Sequence, residues 1–521
     1  MKISKIVNKM LRNFSVILSA SNAREIKELE LELKDMQSRL SKPLCVAVVG
    51  LMKAGKSTFM NALMKEKILS TGTLETTYTV SWFKYGESPS LKIVFKDGSE
   101  KIALYEELEK WTVRPLNTEK HILDEVAHVE IYYPNEILKT MELIDTPGLE
   151  STYKTDSLNT LNFLGQRLAK EADKITSETA SQAEAIVYAF SRAVAGKDAE
   201  VLEAFKGEEN HSSPLNAIGI FTKVDGYWNL ATAPDSDPLE IVRDACHGYK
   251  EKLKEKLYTV LPVVAKPVET ICNMNDYTYQ ILEELSRVDQ TVLLEFLVDS
   301  YFFANEPADE DMPVSAKQRE YILNLFGQYG IYSITKALRN GLSREELPDY
   351  LYKINGIESA SKIVRSHFGN RAYLIKLDYV LRRLRSKANK ILHNNNDFQV
   401  SQICQRIIED IDALCQDEQA FSEIEALQMY YSGDLKIPEA YLEDFLQITG
   451  EYGSHCEARL GFHSPTEIKV MKKEAHDRAR KWNGIANDFN NSKNLTEAAK
   501  IIVRSYENLY YYLDMLGGYE E

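Results

Sequence analysis

The chain has 521 residues, of which 44% are hydrophobic and 27% charged, and its formal net charge at pH 7 is −15. This composition excludes an intrinsically disordered protein, and the length predicts two or three domains. The acidic balance argues against nucleic acid as a partner, because the overall field does not attract a polyanion. The six cysteines are scattered without metal-binding spacing, which favours reduced thiols in the cytoplasm.

Residues 1–42 are predicted to be helical up to Pro43, with apolar side chains recurring on one face. That face comprises Ile3, Ile6, Val7, Met10, Leu11, Phe14, Ile17 and Leu18. The basic residues beside it are Lys2, Lys5, Lys9 and Arg12. One interpretation places this helix on an anionic membrane surface. We favour the other, in which the apolar face packs against C-terminal helices, because residues 1–42 need a partner for it.

From residue 43 to about Pro267, short apolar strands alternate with helical segments. Such alternation predicts an α/β domain with a mainly parallel sheet and helices on both faces. Beyond Pro267 the patterns are helical, which predicts an all-α region after the sheet.

The segment Gly50-Leu-Met-Lys-Ala-Gly55-Lys56-Ser57 matches the phosphate-loop pattern GxxxxGK[ST] between a strand and a helix. Glycines let backbone N–H groups surround phosphate oxygens at a helix N-terminus. Lys56 is expected to contact the terminal phosphates, and the Ser57 hydroxyl to ligate Mg²⁺. The predicted nucleotide-binding residues of this loop are Gly50, Met52, Lys53, Ala54, Gly55, Lys56, Ser57 and Thr58.

Two further motifs lie after the phosphate loop in the sequence, and each directly follows a predicted strand. Asp145-Thr-Pro-Gly148 places a carboxylate where it can support Mg²⁺ through water, and the Gly148 N–H where it can contact a γ-phosphate. Thr222-Lys223-Val-Asp225 predicts guanine recognition, because one carboxylate can accept both donors on the guanine edge. Ala265 and Lys266, after the last strand, are expected to add a contact to the base.

A threonine between the first two motifs must reach Mg²⁺ and the γ-phosphate when a triphosphate is bound. Both Thr76 and Thr77 are candidates. The alternative for either residue is ordinary β-propensity in a strand that leads to WFKYG.

The segment AGKSTFMNALMKEKILSTGTLETT, together with IDTPG and FTKVD, resembles the bacterial branch of the dynamin superfamily of large GTPases. Counted from Gly72, the switch threonine of that family falls on Thr77. The resemblance departs at LSTG and ETT, where the family typically has prolines. It implies a P-loop GTPase domain at 43–345 and a helical bundle or stalk at 346–521, on which residues 1–42 pack.

The resemblance also implies the activity and the partners. We expect hydrolysis of GTP to GDP with Mg²⁺, dimerisation of the GTPase domain with itself or a related dynamin-like protein, and conformational change in the helical part. The family also implies a role in membrane remodelling. We therefore expect a cytoplasmic protein that acts at the inner face of the membrane. The alternative functions are a GTP-dependent protein-interaction switch that touches no membrane and a slow, nucleotide-stabilised scaffold.

Lys53 is the unusual residue of the phosphate loop. The position after DTPG holds Leu149, so a Ras-type glutamine is absent and catalytic charge must come from elsewhere. Dynamins have Ser or Asn at the position of Lys53, whereas guanylate-binding proteins and atlastins carry an arginine that acts as a finger. Lys53 is therefore a candidate catalytic cation. The other candidate catalytic residues are Lys56, Ser57, Thr77 and Gly148. The alternative is a lysine that faces solvent.

Overall fold

The computed structural model describes residues 2–40, 42–51, 53–69, 71, 79–113, 122–147, 183–192, 217–253, 256–395, 397–417, 419–432, 434–453 and 455–517. The predicted site residues Met52, Thr76, Thr77 and Gly148 lie outside these ranges, as does Leu149. The strands are β1 (Leu44–Val49), β2 (Ser81–Tyr85), β3 (Ser90–Phe95), β4 (Glu100–Ala103), β5 (Val126–Tyr133), β6 (Met141–Asp145), β7 (Ala185–Phe190), β8 (Ala217–Phe221) and β9 (Val260–Pro262).

The helices of the N-terminal and sheet-forming part are α1 (Lys2–Ser19), α2 (Arg24–Leu40), α3 (Lys56–Met64), α4 (Leu108–Thr112), α5 (Pro238–Ile241), α6 (Arg243–Lys252), α7 (Ala265–Ile271), α8 (Asp276–Arg287), α9 (Gln290–Val298), α10 (Ser300–Asn305), α11 (Ala316–Arg339), α12 (Leu347–Ile354) and α13 (Ile357–Ile363). A π-helical turn at Val364–Gly369 leads to α14 (Asn370–Asn394), α15 (Phe398–Asp417), α16 (Gln419–Ser432), α17 (Glu439–Ile448), α18 (Cys456–Arg459), α19 (Ile468–Ala486) and α20 (Lys493–Gly517). None of the helices in the described part of the chain combines the length and apolarity that crossing a membrane requires.

The described strands form one sheet in the order β4-β3-β5-β2-β6-β1-β7-β8-β9. The run from β6 to β9 is parallel throughout, whereas β2 pairs antiparallel with β6, and β3 pairs antiparallel with both β4 and β5. The predicted α/β fold with a mainly parallel sheet is thus confirmed, and its antiparallel pairs lie in the half that contains β2 to β5. The carboxyl ends of β6, β1, β7, β8 and β9 meet at one edge, where an α/β sheet binds its ligands.

Both faces of the sheet are covered by helices, and β1 shows how. Val46 and Val48 pack in the same core cluster as Phe59 of α3. Ala47 and Val49 belong to a second cluster with Cys246 of α6. Because successive side chains of a strand point to opposite faces, a strand that is apolar throughout must be covered on both sides.

The N-terminal helices build a bundle with α14 and α15. Val7, Leu11, Phe14 and Leu18 are at most 1% exposed and lie in a core cluster with residues such as Leu377. The Arg383 guanidinium of α14 also bonds the Glu32 carboxylate of α2 at 2.6 Å. Tertiary packing therefore accounts for the apolar face of α1 without a membrane.

The helices α12 and α13 belong with the sheet. The backbone N–H of Val264 donates to the carbonyl of Asn355, between α12 and α13, at 3.0 Å. A Cβ added at Gly356 would lie 2.5 Å from the carbonyl oxygen of Pro262 in β9. This close backbone approach requires glycine, and it joins residues 347–363 to the sheet, beyond the boundary at residue 345 expected from the sequence.

The burial of α1 predicts a stability effect that a membrane-facing helix does not have. Leu11→Ala should lower the unfolding free energy of the bundle by about 2–5 kcal/mol, because it leaves a cavity in the core. Thermal unfolding followed by circular dichroism measures the loss. Leu31→Ala is the control, since Leu31 is 68% exposed on α2; equal melting temperatures of the two variants would contradict the packing role.

Candidate functional site

The loop from Gly50 to Gly55 connects β1 to α3 with a backbone that few sequences allow. A Cβ added at Gly50 would lie 2.1 Å from the carbonyl oxygen of Ala189 in β7, so only glycine fits there. Gly55 has φ +82 and begins α3, and Lys53 has φ +60. Left-handed residues in such a loop turn successive N–H groups toward one concavity, which is a geometry that binds anions.

The Lys56 side chain folds back over this loop. It is 7% exposed, and its ammonium donates to the carbonyl oxygens of Gly50 and Leu51, each at 3.3 Å. These two hydrogen bonds hold the positive charge at the loop, beside the N-terminus of α3, where a phosphate group would lie.

The parallel pairing of β1 with β6 brings Ser57 and Asp145 together. Val48 is in register with Asp145, and the Ser57 hydroxyl donates to Asp145 Oδ2 at 2.8 Å. The neighbouring Thr146 hydroxyl donates to the carbonyl of Val48 at 2.9 Å and fixes the turn after β6. A hydroxyl that donates its proton to a carboxylate presents lone pairs to a cation.

This oxygen set fits Mg²⁺, which takes one or two protein oxygens together with substrate phosphates and water. In the part of the chain that the structure describes, no group of three or more His, Cys, Asp or Glu side chains forms a metal site. The Ser57–Asp145 pair is suited to share a metal with a phosphate ligand.

Lys223 and Asp225 follow β8 at the same edge of the sheet. Lys223 has φ +57, which turns the chain sharply into a helical turn at Val224–Tyr227. Burial raises the pKa of Asp225, and the charges of Lys266 and Lys223 oppose this rise. Two N–H donors on a bound base would offset the cost of burying the carboxylate.

Ala265 and Lys266 open α7 directly after β9, which is the parallel neighbour of β8. Burial lowers the pKa of Lys223, and the nearby charges of Lys53 and Lys266 lower it further. Lys53 and Lys266 are therefore close enough to Lys223 to act on its charge. Lys53 itself is exposed.

The Thr222 side chain is directed at the phosphate loop. It is 2% exposed, and its hydroxyl donates to the carbonyl of Ala54 at 2.6 Å, with the carbonyl of Phe190 at 3.2 Å. Thr222 thus supports the phosphate loop, and the nucleotide contact predicted for it stays a prediction. Thr58 lies in the first turn of α3 and is half-buried.

A buried polar network that the sequence analysis missed supports the far end of α3. Asn61 accepts from the N–H groups of Ile68 and Leu69 at 3.1 and 2.9 Å and donates to the Glu269 carboxylate of α7 at 2.6 Å. The Thr71 hydroxyl donates to the same Glu269 oxygen at 2.7 Å. Burial raises the pKa of Glu269. An Asn inside the apolar FMNALM segment was the available signal, although nothing local pointed to Glu269.

Comparisons with known proteins identify similar sequences and structures. The sequence model of the Dynamin family matches residues 46–224, from β1 to the turn after β8. The isoniazid-induced protein IniC of Mycobacterium tuberculosis is 24% identical over 490 residues, which are 93% of this chain and 93% of that protein. A bacterial dynamin-like protein of Nostoc punctiforme is 29% identical over 168 residues, 30% of this chain and 24% of that protein. A solved oligomerised bacterial dynamin pair, described as sensing and tethering membranes at long range, covers 98% of this chain and 74% of its own at 16% identity, with a TM-score of 0.32.

Proposed function

We propose that the chain, whose residues 46–224 match the Dynamin family, is a GTPase that binds GTP with Mg²⁺ and couples hydrolysis to dimerisation and to movement of its helical part. The observation that carries the nucleotide proposal is the hydrogen bond between Ser57 and Asp145, formed beside a loop over which Lys56 is already folded. Dynamin-type GTPases generally require a divalent metal, and the oxygen chemistry of this pair suits Mg²⁺.

In the proposed mechanism the protein acts mainly by positioning and by electrostatics, as is usual for phosphoryl transfer. Loop N–H groups and Lys56 hold the phosphates in line for attack by water. Ser57 and Thr77 would ligate Mg²⁺, Asp145 would support it through water, and the Gly148 N–H would contact the γ-phosphate. When bound, Mg²⁺ offsets charge on the phosphate oxygens. Thr76 remains the alternative to Thr77.

Base recognition is assigned to the turn after β8 and the start of α7. Asp225 accepts the two donors of guanine, the Lys223 stem lies along the base plane, and Ala265 and Lys266 contact the base from α7. Adenine lacks that donor pair, so it would leave a half-buried carboxylate without compensation.

Guanine recognition by Asp225 can be tested by exchanging the base. Asp225→Asn should weaken GTP binding about a hundredfold or more and bind xanthosine triphosphate instead, because the new amide donates where the carboxylate accepted. Calorimetric titration with both nucleotides measures the switch. Asp237→Asn is the control, since it removes an exposed carboxylate that caps α5 nearby. Equal affinity of the unsubstituted protein for ATP and GTP would refute the assignment.

Lys53 is proposed as the catalytic cation. It is exposed within the phosphate loop, and its charge acts on Lys223. A cation in this loop can stabilise charge that develops in the transition state without tighter ground-state binding. The charge built into the loop would replace the monovalent cation that dynamins hold at this position. The competing interpretation is a solvated lysine without a catalytic role.

Lys53→Ala should reduce the turnover number roughly a hundredfold while the affinity for GTP changes little. Lys65→Ala is a matched control, because Lys65 has the same left-handed backbone, with φ +57, at the end of α3. Single-turnover hydrolysis separates chemistry from binding. Full turnover in Lys53→Ala, together with strong potassium dependence of the unsubstituted protein, would identify Lys53 as a solvated surface residue.

Coupling to the helical part has a structural candidate at the amino ends of the strands. Lys376 of α14 is 2% exposed and donates to the carbonyl of Lys42 at 2.6 Å. Its ammonium lies 3.7 Å from the Glu184 carboxylate, which accepts from the N–H of Cys45 at 2.9 Å. This buried contact joins the end of α2, the beginnings of β1 and β7, and the bundle. We propose a GTPase domain from about 43 to 363 and a helical part from the π-helical turn onward, packed on residues 1–42.

The membrane role is proposed for a cytoplasmic protein that acts at the inner face of the membrane. The support is the match of residues 46–224 to the Dynamin family, which implies membrane remodelling. The acidic net charge of −15 favours the alternative of a protein-interaction switch. A larger fraction of the protein should sediment with anionic vesicles when a non-hydrolysable GTP analogue is bound than when GDP is bound. Retention in neither state would favour the switch, and GTP binding with negligible turnover would favour the scaffold.

A further inference from the structure

The helix α11 is broken beside the carboxylate assigned to base recognition. Gly327 has φ +69 and ψ 172 inside the helix, between Phe326, which is 1% exposed, and Gln328. This backbone region is essentially restricted to glycine. Such a break costs helical hydrogen bonds, and Gly327 is 102 positions away from Asp225 in the sequence, so no local turn requirement explains it.

The space in front of Gly327 opens toward Asp225. A Cβ added at Gly327 would lie 3.9 Å from Asp225 Oδ2. Leaving aside its chain neighbours and the backbone of its own helix, no other described atom would lie within 4 Å of that Cβ. At Gly330 of the same helix the packing is tight, since an added Cβ would lie 2.9 Å from Pro267 Cγ of α7. The backbone of α11 is thus less crowded at Gly327 than at Gly330.

Contacts on both sides hold the break in this place. The Trp228 ring, three residues after Asp225, packs against Tyr329 and Tyr332 of α11 with centroid distances of 5.2 and 5.1 Å. The Thr270 hydroxyl of α7 lies 3.0 Å from the carbonyl of Leu325. The turn after β8, the helix that carries Ala265 and Lys266, and the break in α11 therefore form one packed unit.

We propose that Gly327 is a specificity-determining residue, and that the break in α11 forms a third wall of the guanine pocket with Asp225 and the start of α7. The inference rests on the proposed reading of guanine by Asp225. A donor on the base must approach the carboxylate oxygen to within about 3.2 Å. A methyl group 3.9 Å from that oxygen occupies part of the space from which the donor approaches. Glycine leaves that approach open.

The test separates binding of the base from binding of the phosphates. Gly327→Ala should weaken GDP binding roughly tenfold or more, because a blocked donor leaves Asp225 unpaired, while the affinity for inorganic tripolyphosphate stays unchanged. Gly341→Ala is the control: Gly341 also has positive φ, at +86, with no atom within 4 Å of an added Cβ. Unchanged GDP affinity in Gly327→Ala, or an equal loss of tripolyphosphate binding, overturns the proposal.

A second measurement uses the unsubstituted chain and does not depend on how well the variant folds. GDP should slow amide hydrogen exchange across residues 325–332, and tripolyphosphate should not. Equal slowing of exchange by both ligands, or by neither, overturns the proposal that α11 forms a third wall of the pocket. Failure of the unsubstituted protein to prefer GDP over ADP would instead overturn the guanine assignment, so the two failures are distinguishable.

Discussion

The candidate site depends on the parallel pairing of β6, β1, β7, β8 and β9. Parallel strands in register end at one edge, so chain segments far apart in sequence deliver their first loop residues to the same place. The pairing of Val48 with Asp145 brings a serine from one loop to a carboxylate from another. A one-residue shift of this register would turn Asp145 to the opposite face of the sheet and remove it from Ser57.

Buried polar contacts then fix loops that strand pairing alone leaves undetermined. The Thr222 hydroxyl donates to the carbonyl of Ala54, so one hydrogen bond joins the phosphate loop to the turn proposed to bind the base. Glu269 bonds Asn61 and Thr71 from α7. Each contact joins a segment assigned to the base with one assigned to the phosphates or metal. Because a buried polar group left without its partner is costly, these segments are expected to keep their relative positions.

The opposite edge of the sheet meets the helical part. There the chain passes from α2 into β1 through Lys42 and Pro43. The Lys376 ammonium donates to the carbonyl of Lys42 and lies near the Glu184 carboxylate. The C-terminal helices contact the sheet region at a second place, where the Tyr258 hydroxyl donates to Glu451 at 2.6 Å. Movement of the helical part would have to preserve or exchange these buried contacts, which gives the proposed coupling a defined physical location.

The sequence by itself determined the phosphate loop, the carboxylate after β6, the turn after β8 that is proposed to bind the base, and the amphipathic face of α1, because each depends on a local requirement. Gly50 and Gly55 are dictated by backbone approach and by φ, and the face of Val7, Leu11, Phe14 and Leu18 by the helical period. Only the tertiary structure decided which elements meet those motifs. The Thr222 hydroxyl bonds the phosphate loop, and the segment between α12 and α13 bonds the chain after β9. The break at Gly327 lies beside Asp225. Those outcomes depend on packing between segments tens to hundreds of residues apart, and no spacing within a single motif encodes such contacts.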